Sequence, residues 1–403
     1  MGGFYAGPGN GLGFGAQAGA SGDRKNGGDA GTIQRERTSA MNIDELLRFT
    51  VERGASDLHL KVGNVPFVRV DGALFPTHFE TLTAADTESF ANILMSEHKK
   101  REFAASSEAD LGSTLTGVGR FRVNVFRQRG MVGLAIRRVR SEVPTFEELR
   151  LPPVLATLAD APRGLVLVTG PTGTGKTTTI ASMIGHINAT RRAHIVTIED
   201  PIEVVHDDNM SIIEQREIGI DTDSYAAALK HVIRQDPDVI FVGEIRDPES
   251  ALSAIQAAET GHLVISTLHT VDCVETVNRV LDLFPPQQHK ELRTSFAGAL
   301  RGIVSQRLVV RADGKGRVPC VEVMVANGRI YDRIADASAT ESILEVIAEG
   351  GYYGMQTFDQ ALVHLVREGL VKDTDARRAS TNPHDFDLAL RGMLQRGAVQ
   401  LDA

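Results

Sequence analysis

The most specific chemistry in this 403-residue chain sits in Gly170-Pro171-Thr172-Gly173-Thr174-Gly175-Lys176-Thr177-Thr178. The first eight residues match G-x-x-x-x-G-K-[ST], between an apolar run at 165–168 and a helical stretch, the context that gives this pattern its meaning. Glycines let main-chain N–H groups curl around a phosphate without obstruction. The helix start that follows adds positive dipole. Lys176 has the reach for β- and γ-phosphates, and the Thr177 hydroxyl suits Mg²⁺, which takes few protein ligands. The spacing predicts a nucleoside triphosphate site, with Thr172 and Thr174 serving loop packing.

Hydrolysis needs an oriented water and a second hold on the metal, and two predicted strand ends offer carboxylates. Residues 195–198 run into Glu199-Asp200-Pro201-Ile202-Glu203, and 239–242 into Gly243-Glu244-Ile245-Arg246-Asp247. Ligands of open α/β sheets sit at the carboxyl ends of strands, so Glu199 and Glu244 are expected to converge on the γ-phosphate. Gly243 stands where a Walker B strand usually carries aspartate. Metal binding then passes to Glu244, or to a water held by Glu199. Glu244 is the expected residue polarising the attacking water, with Glu199 supporting metal or water. Asp247, before Pro248, reads as a helix cap, and Glu203 is open to either reading. Gly261-His262-Leu263-Val264-Ile265-Ser266-Thr267-Leu268-His269-Thr270 is a third strand with a histidine at each end. His269, at the carboxyl end, is expected at the γ-phosphate or the water; His262, at the opposite end, reads as structural or as an interface residue.

These residues need a scaffold that brings strand ends together. Apolar runs at 165–168, 195–198, 239–242 and 263–265 alternate with helical stretches near 176–187, 223–234, 248–258 and 287–304, predicting a buried parallel sheet flanked by helices. Upstream, Asn42-Ile43-Asp44-Glu45 reads as a capped helix start. Alternating stretches at 57–62, 66–70, 119–126 and 132–139, with a turn at Asp71-Gly72, predict a small α+β domain. Residues 1–40 hold 12 of the 39 glycines and read as a flexible tail. The expected organisation is tail 1–40, α+β domain 41–150, nucleotide domain 155–334 and helical region 335–403.

Composition excludes several classes. Lys+Arg 43 against Asp+Glu 52 gives a net charge of −9, unsuited to a dedicated nucleic-acid binder. Two cysteines, Cys273 and Cys320, make neither a disulfide framework nor a four-cysteine zinc site. No apolar run approaches the ~20 residues of a membrane helix, and the start lacks a signal-peptide pattern. A cytoplasmic protein is expected. Against the acidic balance, residues 120–140 contain seven arginines, no lysine and no acid. Alternation puts Arg120, Arg122 and Asn124 on one face of a strand and Phe121, Val123 and Val125 on the other; the phase slip at Phe126-Arg127 predicts a bulge or turn. Arginine suits bidentate phosphate contact. One or two of Arg120, Arg122 and Arg127 are expected to reach an ATP phosphate from outside the nucleotide domain.

Together, the phosphate loop, the Thr197-to-Glu203 acidic box, Asp236-Pro237-Asp238-Val239-Ile240-Phe241-Val242-Gly243-Glu244-Ile245-Arg246-Asp247 and the histidine box resemble the secretion and pilus ATPase superfamily. Ala55-Ser56-Asp57-Leu58-His59-Leu60 resembles its N-terminal domain. Gly354-Met355-Gln356-Thr357-Phe358-Asp359-Gln360 and Ala379-Ser380-Thr381-Asn382-Pro383 resemble its type IV pilus retraction (twitching motility) branch. The resemblance spans about 41–391. It implies a PAS-like α+β domain, a RecA-like α/β P-loop ATPase domain, ATP with Mg²⁺, and a homohexameric ring that retracts pili through a platform protein at the inner membrane. No zinc and no nucleic acid are expected, on the two cysteines and the acidic balance. Two departures stand out. The tetracysteine loop common in assembly and secretion ATPases is missing, leaving only Cys320. The Ala-Ile-Arg helix motif usual in retraction ATPases is replaced by Ala326-Asn327-Gly328-Arg329-Ile330-Tyr331-Asp332-Arg333-Ile334. The alternatives are an assembly or type II secretion ATPase, and a nucleotide-gated scaffold with little turnover.

Overall fold

The structure, a computed structural model, describes residues 41–70, 72–139 and 142–392. The expected tail over 1–40, Asp71 of the expected turn and Arg140 of the arginine run lie outside the described residues. From Asn42 onward the chain forms one compact unit.

Helix Ile43–Glu52 starts where the sequence predicts, with the Asn42 side chain accepting the Asp44 N–H at 2.9 Å. Six strands follow: β1 (Asp57–Lys61), β2 (Phe67–Val70), β3 (Ala73–Pro76), β4 (Glu108–Leu115), β5 (Gly119–Gln128) and β6 (Met131–Arg138). They form an antiparallel sheet in the order β3-β2-β1-β6-β5-β4. The sequence pattern does not announce β3 or β4. Both are edges of the sheet, and β3 is exposed throughout. β5 shows the expected alternation, with Phe121, Val123 and Val125 fully buried.

The expected bulge is absent. Pairing of β5 with β6 runs unbroken from Phe121↔Arg138 to Gln128↔Met131. The apparent phase slip has another cause. Phe126 lies on the arginine face, its ring packed against Gly133. Arg127 lies on the apolar face but at the exposed strand end, with its guanidinium 5.1 Å from the Phe103 ring centroid.

The second sheet has seven strands: β7 (Gly164–Thr169), β8 (His194–Glu199), β9 (Ile212–Glu217), β10 (Val239–Val242), β11 (Leu263–Leu268), β12 (Leu300–Val310) and β13 (Arg317–Val325). Their order is β13-β12-β7-β11-β10-β8-β9, parallel except for the antiparallel β12–β13 pair. Both faces are covered along β7, β8, β10 and β11, so these strands read as continuous apolar runs. In β7, Val166 and Val168 pack with Ile180, Met183, Ile184 and Ile187 of helix Lys176–Thr190. Leu165 and Leu167 pack on the other face, with helices Tyr225–Val232, Pro248–Glu259, Cys273–Asp282 and His289–Ala299.

One helix expectation fails. The stretch 287–304 is helical only to Ala299, and Leu300 opens β12. Pairing with β7 on one side and β13 on the other outweighs the helical pattern, and Gly302 fits between Leu158 and the Met324 carbonyl. β9, with the polar sequence Ile-Ile-Glu-Gln-Arg-Glu, is not among the strands that the sequence predicts, yet it pairs as the sheet edge. Beyond 335 the described residues are helical, as expected, with a single bridge from Gln356 to Val323. Helices Phe358–Arg367, Asp373–Ala379 and Pro383–Leu390 share a core with Val309, Val318 and Cys320 at the far end of the β12–β13 hairpin. No helix among the described residues is long and apolar enough to cross a membrane.

Candidate nucleotide site

The loop 170–175 joins the carboxyl end of β7 to helix Lys176–Thr190, the strand–loop–helix unit that the sequence predicts. Gly170 and Gly175 have φ of 145° and 92°, where side chains are strained. A Cβ on Gly170 would lie 2.5 Å from the Gln306 carbonyl oxygen. Thr174 Oγ1 donates to the Pro171 carbonyl at 2.9 Å, the packing role expected for it. Thr172 and Gly173 are exposed at the tip, and Thr177 and Thr178 are half-buried in the first helical turn. Lys176 is buried, its ammonium donating to the carbonyls of Gly170 (2.6 Å) and Pro171 (3.2 Å). Burial lowers its pKa, and the charges of Glu244 and Glu203 oppose that shift.

Glu244 is held by its neighbours' main chain. The Gly243 N–H donates to the Ile198 carbonyl (2.8 Å), and the Gly243 carbonyl accepts the Thr267 hydroxyl (2.6 Å). The Ile245 N–H donates to the Thr267 carbonyl (3.1 Å). The turn that carries Glu244 is thereby tied to β8 and β11. Gly243 has a steric reason: a Cβ there would stand 2.8 Å from the Tyr225 hydroxyl and 3.2 Å from the Ile198 carbonyl. An aspartate has no room.

His269 follows β11 and bridges the site. Its Nε2 lies 3.2 Å from Glu244 Oε1 and its Nδ1 3.5 Å from the Lys176 ammonium. Arg246 grips the other Glu244 oxygen through Nε (2.8 Å) and Nη2 (2.7 Å). Lys176, His269 and Glu244, drawn from three strand ends, thus meet as the sequence predicts.

Glu199 does not join them. It is buried at the end of β8, accepting from the Thr197 hydroxyl (2.7 Å) and the Gln215 amide (3.0 Å). Burial raises its pKa, partly offset by these hydrogen bonds. The acid-box charge that acts on Lys176 is that of Glu203. Asp247 caps helix Pro248–Glu259, its Oδ1 accepting the Ser250 N–H at 2.8 Å. His262 Nδ1 lies 3.0 Å from the Ala257 carbonyl, a structural position.

The three arginines separate. Arg120 forms an ion pair with Glu217 of β9, a carboxylate 3% exposed that also accepts the Ile202 N–H at 3.2 Å. The side chain of Arg122, on the same face, has no hydrogen bond or ion pair to another described residue; its main chain pairs with β4 and β6. Arg127 is seven residues from Arg120, roughly 24 Å along the strand, and packs on Phe103. It does not share the Arg120 position.

Sequence reasoning missed Arg246, Thr267, Tyr225 and Gln306. Arg246 and Thr267 fall inside the motifs, so their proximity was available. Tyr225 and Gln306 carry no motif and come from a helix and a strand distant in sequence.

The strand–loop–helix phosphate loop on a parallel sheet, with Glu244 and His269 at the neighbouring strand ends, defines a P-loop ATPase. Residues 120–378 match the type II/IV secretion system protein family, and the chain belongs to that family. It is 41% identical over 346 residues to the type IV pilus retraction ATPase PilT of Pseudomonas aeruginosa, covering 86% of this chain and all of that protein. It is 42% identical over 317 residues to a twitching motility protein of Neisseria gonorrhoeae, covering 79% and 84%. A crystal structure of the pilus retraction motor PilT with bound ADP superposes with a TM-score of 0.78 at 44% identity, covering 86% of this chain and 98% of that one.

Proposed function

We propose that this ATPase is a homohexameric motor coupling ATP hydrolysis to type IV pilus retraction from the cytoplasmic face of the inner membrane, through a membrane platform protein. The observation that carries the chemistry is the approach of Glu244, His269 and Lys176 beside the phosphate loop. The 170–178 amides and the Lys176 ammonium hold the phosphates. Glu244 positions the attacking water and accepts its proton as the γ-phosphoryl group departs. Its Oε1 side, facing His269, is the side open to that task, because Arg246 occupies Oε2. His269 orients Glu244 and contacts the γ-phosphate.

Mg²⁺ fits the donors present: Thr177, Glu244 and Glu199 offer hard oxygens. Among the described residues no cluster of three or more His, Cys, Asp or Glu could hold a metal alone, and Mg²⁺ bound to phosphates needs only one or two protein ligands. When bound it would supply neutralising charge for the phosphates. Thr177 is the direct ligand in this reading, and Glu199, engaged by Gln215, acts through water. Arg122 is the arginine free to reach a phosphate when the ring closes. Arg120 does so only on release from Glu217. The domain limits 41–150 and 155–334 mark the two lobes that move.

Glu244→Gln tests the chemistry: ATP turnover falls roughly 10²–10⁴-fold while ADP binding persists. Unchanged turnover rejects the assignment. Deleting the gene tests the motor. Accumulated surface filaments support retraction, and bald cells indicate an assembly motor instead.

A further inference from the structure

Gln306 lies on β12, outside every nucleotide motif, and its side chain is buried against the phosphate loop. β12 runs beside β7, with Ser305 opposite Thr169, so Gln306 stands level with Gly170. Its Nε2 lies 2.7 Å from the Thr174 carbonyl, and the Thr179 hydroxyl lies 2.8 Å from its Oε1. A carbonyl oxygen only accepts, so the amide must turn its NH₂ towards Thr174 and its oxygen towards Thr179. The residue is 2% exposed, leaving water little access to compete for these bonds.

We propose that Gln306 is a positioning residue for nucleotide phosphate, acting through the peptide between Thr174 and Gly175. That peptide is planar, so its C=O and N–H point in opposite directions. Fixing the Thr174 carbonyl outward on β12 turns the Gly175 N–H into the loop, where a phosphate oxygen is cradled. Gly175 needs such a restraint because glycine rotates freely on both sides of φ = 0. The Thr179 hydroxyl completes the device by setting the orientation of the amide. A Cβ on Gly175 would lie 2.9 Å from Gln306 Nε2, so the fit leaves no slack on that side.

The inference rests on the reading of 170–178 as a nucleotide-phosphate loop. ADP binding by titration calorimetry and steady-state ATP turnover on the full chain test it, using Gln306→Met, Gln306→Glu and Thr179→Val. Gln306→Met keeps the volume and loses both bonds; Gln306→Glu keeps the acceptor and loses the donor. Both are expected to raise the ADP Kd and ATP KM together, roughly tenfold, with kcat changed less than about threefold, because a main-chain phosphate contact serves ground and transition states alike. Thr179→Val moves both constants the same way, roughly threefold. A purely structural role would lower thermal stability and leave the Kd of the folded protein unchanged, and that result overturns the proposal. If the Gln306 variants do not fold, Thr179→Val decides, and an unaltered Kd overturns the proposal. Failure of the wild-type protein to bind ADP would instead remove the phosphate-loop reading itself.

Discussion

The two sheets carry their charged residues in different ways. In the seven-stranded sheet, parallel strands all end on one side, so Lys176, Glu244 and His269 meet although 93 residues separate the first from the last. In the antiparallel sheet, β5 lays its arginines out along a single strand. Arg120 reaches Glu217 of the other sheet, whereas Arg127 packs on Phe103. Parallel topology gathers residues from distant sequence, and an antiparallel strand disperses residues that are near in sequence. Spacing along the chain is therefore a good guide to a phosphate loop and a poor guide to which arginine serves it.

The sharpest way to break this contrast is Lys176→Ala. Turnover should fall roughly 10³-fold, about 4 kcal/mol, with nucleotide affinity also reduced, in a steady-state assay; near-normal turnover would disconnect the gathered strand ends from catalysis. Arg120→Ala comes next. It leaves the Glu217 carboxylate buried without its partner and should cost about 3 kcal/mol in urea unfolding. A loss below about 1 kcal/mol would mean that the two sheets are not tied there.

Acid should act on the seven-stranded half through His206, whose pKa burial lowers from 6.5 to about 4, partly opposed by the Asp207 charge. The folded form resists protonation that the unfolded chain accepts. Stability is therefore fully present above pH 6.5 and declines as pH falls towards about 4, by about 2–3 kcal/mol. His206→Gln should flatten that part of a stability–pH curve; an unaltered slope would assign it to other groups. The smallest effect belongs to Arg127→Ala. Losing the contact of its exposed guanidinium with the Phe103 ring should cost below about 1 kcal/mol and leave ADP affinity unchanged. A large loss of turnover would instead promote Arg127 to a phosphate-contacting arginine.

Much of this was legible in the residues. The phosphate loop, the strands β7, β8, β10 and β11, the cap at Asp247 and the meeting of Glu244 with His269 follow from local patterns. The misreadings have physical causes. The helical stretch expected over 287–304 runs on into 300–304, and only the partners β7 and β13 make those residues a strand. β9 is polar because it is an edge, so it lacks the apolar signature of its neighbours. Phe126 imitates a bulge because Gly133 opposite leaves space for its ring. The Gln215 amide that engages Glu199 comes from the unannounced β9, so no motif names that partner.

The chain's own order of residues determined the phosphate grip, since six backbone positions and one ammonium lie within a single turn of loop and helix. It also determined which strands would be buried on both faces. The tertiary structure alone decided which arginine and which amide stand where. Gln306 beside Thr174 and Arg120 beside Glu217 depend on strand order and register, which bring together segments 132 and 97 residues apart. No local preference encodes such a neighbour; it is selected by the shared burial of two sheets and the helices that cover them.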